Sequence, residues 1–152
     1  MKFAVKLLAA WAALTASPAV LSCPQLLGTW RSSKALSMDY NEKFAQLAPK
    51  QKELLVQILG LMTLTVTDKA VREHGQPSMK VTVGGKESDF VFEELSYPYR
   101  VLSCDSSSAE VVSQHPYAGA MQYTIHFVDK DTYWVSSGKL PSSREFFVRV
   151  RE

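Results

Sequence analysis

The side chains best suited to chemistry are two cysteines, Cys23 and Cys104, and three histidines, His74, His115 and His126. Two thiols in an exported chain can close one disulfide. No two histidines have the spacing of a metal-binding pair, and neither cysteine stands beside one, so no metal site and no cofactor are expected. Serines are plentiful, but no G-x-S-x-G elbow occurs and no His-Asp pair suggests an activated nucleophile. Glu93-Glu94 and the acids Asp129 and Asp131 read as solvated strand ends and turn residues rather than a glycosidase pair. No catalytic residue is expected, and the sequence points to binding rather than reaction. The aromatic side chains of the second half are the remaining resource. They serve as core and cross-strand pairs, or some of them line a cavity. Tyr123, Phe127, Tyr133 and Phe146, together with Arg144, are the candidate ligand contacts.

The destination of the chain is written in its first residues. "MKFAVK" supplies two lysines, an apolar run follows, and Pro18 breaks it among small residues. Residues 1–22 therefore read as a secretory signal peptide, too short for a membrane span, and residues 23–152 as a single domain. Cleavage after Ala19 would leave Cys23 to pair with Cys104, closing a long loop worth about 4 kcal/mol in the chain-entropy account. "VLSC" also resembles a bacterial lipobox, in which cleavage falls before Cys23 and its thiol takes lipid. Pro24 in the next position is compatible with passage to the outer membrane. Both readings stay open, and both place the protein in a bacterial envelope, in the periplasm or at the outer membrane.

Charge narrows the partners. The chain has 17 Lys and Arg against 15 Asp and Glu, and Lys2 and Lys6 lie in the signal, so the mature part is close to neutral. Nucleic acid and anionic membrane surfaces need a basic field, and neither is expected as a partner. Contact with a membrane is expected only through a lipid on Cys23.

These residues have to be positioned by a mostly β scaffold. "LLGTWRSS" reads as a first strand. A short helix is expected over residues 38–47, then a second opened by Pro49, with Leu54, Leu55, Ile58 and Leu59 at helical spacing and Gly60 as its stop. From "LMTLTVT" the apolar period becomes two. A turn is expected at Asp68-Lys69 and a loop over residues 73–78. Hairpins are expected across "GGKES", "DSSS" and "DKD", and "SREFFVRVRE" forms a last strand. One strand, two helices and about eight further short strands favour a small antiparallel up-and-down barrel, since closure removes the exposed edges.

"GTW" on the first strand, the helix pair after it, the hairpin meander and the terminal Arg and aromatic strand together resemble the calycin group of lipocalins and fatty-acid-binding proteins. The "DKDTYW…REFFVRV" ending is similar to small bacterial lipocalin-like proteins. The resemblance implies that Trp30 seals one barrel end and that an Arg of the last strand, Arg149 or Arg144, packs over its ring. The R-x-Y carboxylate clamp of fatty-acid-binding proteins is interrupted here, where Arg144-Glu145-Phe146 has Phe in place of Tyr, so fatty-acid carriage is not implied. Two functions follow. One is binding of a small apolar or amphipathic molecule within the barrel. The other is an envelope interaction module, such as an inhibitor, immunity or chaperone-like protein, whose barrel is filled.

Overall fold

The computed structural model describes residues 23–137 and 142–151; the signal peptide expected at 1–22 lies outside them. Strand β1 (Gly28–Ser32) is followed by helices α1 (Lys34–Phe44) and α2 (Pro49–Ile58). Nine strands complete the described chain: β2 (Thr63–Val66), β3 (Ala70–His74), β4 (Ser78–Val83), β5 (Lys86–Val91), β6 (Leu95–Cys104), β7 (Ser108–His115), β8 (Gly119–Asp129), β9 (Thr132–Ser136) and β10 (Arg144–Arg149). Strands make up 53% of the described residues, so the fold is mainly β, as the period-two patterning predicts.

Eight strands close a barrel in the order β1-β10-β9-β8-β7-β6-β3-β2, every neighbour antiparallel. Trp30 marks the closure, because it stands opposite Arg149 on one side and Leu64 on the other. A closed barrel leaves no sheet edge to recruit another chain. The meander runs through sequential neighbours except between β3 and β6, where β4 and β5 leave the wall as a separate two-stranded sheet. The turn of that hairpin is Gly84-Gly85, with φ of 58° and 75°, and Val83 pairs directly with Lys86. Two consecutive left-handed residues match the twist of a hairpin, and glycine adopts that conformation without steric cost. The hairpin docks on α2: Gln57 Oε1 accepts from Thr82 N at 2.9 Å, and its Nε2 donates to Thr82 O at 2.7 Å.

Two expectations are adjusted by this wall. The segment after Asp68-Lys69, including Glu73 and His74 of the expected loop, forms β3, whose polar Arg72, Glu73 and His74 hide its period in the sequence. The hairpin expected across "GGKES" exists, but it stands outside the barrel and turns over two residues. The first helix also begins earlier than expected, because Ser33 caps it and its side chain accepts from Leu36 N at 3.4 Å.

Helix α1 does more than connect strands. Beyond Ser32, β1 departs from the barrel and the first half of β10, still paired with β9, loses its partner on the β1 side. Two buried side chains of α1 replace it. Ser37 Oγ accepts from Phe146 N at 2.9 Å. Asn41 accepts from Arg144 N and donates to Arg144 O, both at 2.8 Å. The helix therefore closes the seam that the strand leaves open, and buried backbone groups keep their partners.

Candidate functional site

The two ends of the barrel differ. One is sealed. Trp30 is fully buried, and its Nε1 donates to Leu26 O at 2.8 Å. The Arg149 guanidinium lies 4.0 Å from the centre of its ring. The same guanidinium donates to Leu27 O at 2.7 Å and to Gln25 O at 2.6 Å, so it ties down the arm that precedes β1. Tyr133 and Phe127 pack edge-on against Trp30, with ring centres 4.7 and 6.2 Å away. Cys23 is joined to Cys104 by a disulfide with Cα atoms 5.4 Å apart, which pins the same arm to the end of β6.

Above this floor the barrel is hollow. A cavity of about 410 Å³ occupies its centre. Leu64, Val66, Val71, Val111, Ile125 and Phe147 give it a mostly apolar wall. It reaches the surface at the end where β1 gives way to α1, since its lining there includes the exposed Ala118, Met121 and Ser136. Among the described residues, none from α1, α2, β4 or β5 lines it, so the helix pair does not plug the barrel.

The polar part of the wall is acidic and phenolic. Glu73 and Glu145 both line the cavity, as do Tyr97, Tyr99, Tyr123 and Tyr133. Ser113 and His115 complete the polar lining toward the mouth, with Ser136. Ser32 Oγ donates to Glu145 Oε1 at 2.6 Å and itself accepts from Gly60 N at 3.0 Å. Tyr97 donates its hydroxyl to Glu73 Oε1. Burial pushes the Glu145 carboxyl above the usual carboxylate range; the Ser32 hydrogen bond opposes this, and the Glu73 charge adds to it. Burial, with the Glu73 carboxylate behind it, also raises the Tyr97 phenol. Burial holds the Tyr133 phenol up in the same way. No Lys or Arg lines the cavity among the described residues.

The residues singled out from the sequence fall into three groups. Tyr123 and Tyr133 line the cavity. Phe127 lies on the same face of β8 but packs into the floor, against Trp30 and Tyr133. Arg144 and Phe146, expected as ligand contacts, lie on the outside instead. Arg149 packs inward over Trp30, and a period of two places Glu145 and Phe147 on its side of β10. Outside, Arg144 is sandwiched between Trp134 and Tyr40, 3.7 and 4.2 Å from their ring centres. His126 stacks on the other side of Trp134 at 4.0 Å. Burial and the Arg144 charge lower the His126 pKa.

Sequence reasoning missed Glu73, Glu145, Ser113 and His115 as interior residues. The signal was present in β10, because once Arg149 is paired with Trp30, Glu145 follows four residues earlier on the same face. In β3 the only guide was Val71, two positions before Glu73.

The chain was compared with protein-family models, with curated proteins and with solved structures, and none of the three gave a match.

Proposed function

We propose that the protein is an exported, non-catalytic, lipocalin-like carrier of a small apolar or amphipathic molecule held inside the barrel. The observation that carries this reading is the cavity of about 410 Å³, closed by Trp30 at one end and reaching the surface at the other. Its volume falls within the range of about 300–1,000 Å³ usual for small-molecule pockets, and its wall has the usual mixture of many apolar and few polar groups. A filled barrel acting only through its outer surface fits this interior less well.

The disulfide supports a soluble protein rather than a lipid-anchored one, because it engages the Cys23 thiol that a lipid would need. The oxidising compartment this requires agrees with a signal peptide at residues 1–22 and a periplasmic location. The reading is tested on protein isolated without denaturation. Organic extraction should release a stoichiometric small molecule, or the emptied protein should bind a neutral apolar dye saturably. A protein that does neither is not a carrier.

A further inference from the structure

The lining restricts what the cavity can hold. Several hydrogen-bond donors in and around it are already committed. The Tyr97 hydroxyl serves Glu73, the Ser32 hydroxyl serves Glu145, and the Tyr99 hydroxyl donates to Thr67 O at 2.8 Å. Glu73 and Glu145 each use only Oε1 in these bonds, and Oε2 of each has no hydrogen-bond partner among the described residues. The nearest structural cation at the floor, Arg149, is occupied by Trp30, by backbone carbonyls and by Asp131, 3.4 Å from its Nε. The interior is thus rich in acceptors and negative charge.

Three ligand classes meet this lining differently. An anionic amphiphile would bring a further negative charge beside two carboxylates with no cation to offset it, in surroundings where charges are poorly screened. A neutral amphiphile would fill the apolar wall but strip water from the carboxylates without replacing it. A protonated amine satisfies both demands. Its N–H groups donate charge-assisted hydrogen bonds to the carboxylates, the faces of the surrounding tyrosines attract a cation, and its hydrocarbon part lies along Val66, Val71, Val111 and Ile125.

We infer that the barrel's ligand is a hydrophobic amine, a small molecule with one cationic nitrogen held between Glu73 and Glu145 and an apolar body in the cavity. This rests on the carrier reading above and names its ligand class.

The test uses three probes with one chain length, decylamine, decan-1-ol and decanoate, competing at pH about 7.5 against N-phenyl-1-naphthylamine, a dye that is uncharged there. The amine should bind at least tenfold more tightly than the alcohol, and the acid more weakly than the alcohol. Glu145→Gln and Glu73→Gln should each cut the amine's advantage over the alcohol about tenfold. The neutral alcohol and dye also report folding in each variant. An acid that competes as well as the amine would overturn the inference, as would an amine-to-alcohol ratio that both variants leave unchanged. If the dye binds and none of the three competes, the ligand class is wrong and the carrier reading stands. If the dye does not bind either, the carrier reading itself falls.

Discussion

Arg149 lies over Trp30, its guanidinium carbon 4.0 Å from the ring centre, while its two terminal nitrogens hold the carbonyls of Leu27 and Gln25. One side chain thus seals the barrel floor and fastens the arm that carries Cys23. The planar guanidinium suits both tasks, since it stacks on an indole and presents donors in a fixed fork. A lysine keeps the charge but not the fork. Arg149→Lys should lower stability by about 1–3 kcal/mol in urea unfolding, from the lost stacking and the carbonyls left underused. A change below about 0.5 kcal/mol would mean that the floor is held by packing alone.

The disulfide fastens the same arm, so the two devices should be coupled. Reduction of the Cys23–Cys104 bond should cost about 2–4 kcal/mol. Reduction of Arg149→Lys should cost more than the two separate effects together, because the arm is then held only through Leu26, by its packing and by the Trp30 bond to its carbonyl. Strictly additive losses would show that the arm is held elsewhere.

Asn41 is the polar bridge of the seam between α1 and β10. Asn41→Ala would leave both the N–H and the C=O of Arg144 without their partner, in a place water reaches poorly. The expected cost is about 2–3 kcal/mol. The reading predicts that hydrogen exchange at Arg144 and Phe146 quickens in this variant while exchange in β7 and β8 is unchanged. Uniform quickening across the barrel would contradict a local seam.

Glu145 makes stability depend on pH in a defined direction. Burial raises its carboxyl above the ordinary value, so between those two values the folded protein keeps a proton that the unfolded chain has lost. Stability from this group therefore falls as pH rises through that window, and the cost is constant above it. Glu145→Gln keeps an acceptor for the Ser32 hydroxyl and removes the charge. It should raise the melting temperature by a few degrees at pH about 7.5 and change it little at pH about 3, below the ordinary carboxylate value. A loss of stability at both pH values would mean that the carboxylate is held by contacts the Gln cannot make.

The architecture was legible because it rests on period. Alternation in β2, β7, β8 and β9, the helical spacing after Pro49 and the turn residues between hairpins are local signals, and each survives into the structure. The β3 strand was harder to see, since five residues with three charged or titratable side chains carry little period of their own; only its pairing with β2 and β6 defines it. The Trp30 and Arg149 contact was reached through resemblance to the calycin group. The interior of β10 was misjudged because Arg144 and Phe146 were weighed as residue types rather than by parity with Arg149. The acids of the cavity were passed over for a related reason. A glutamate in a strand reads as solvated, and only barrel closure turns Glu73 and Glu145 toward a common space. The disulfide and the lipobox reading were equally open in the sequence, because the approach of Cys23 to Cys104 depends on where the arm folds back under the barrel.

The central claim is that the hollow barrel binds a small molecule, and one titration tests it most directly. N-phenyl-1-naphthylamine is added to the folded protein and to Val111→Trp, in which an indole replaces a buried valine of the cavity wall. Far-ultraviolet circular dichroism and the melting curve establish that the variant is folded, and Ile125→Phe serves as a milder filling change if it is not. The account predicts saturable one-to-one binding by the wild-type protein and a loss of about tenfold or more in affinity when the cavity is filled. Equal binding by the wild-type and filled proteins, or no saturable binding by either, would contradict it.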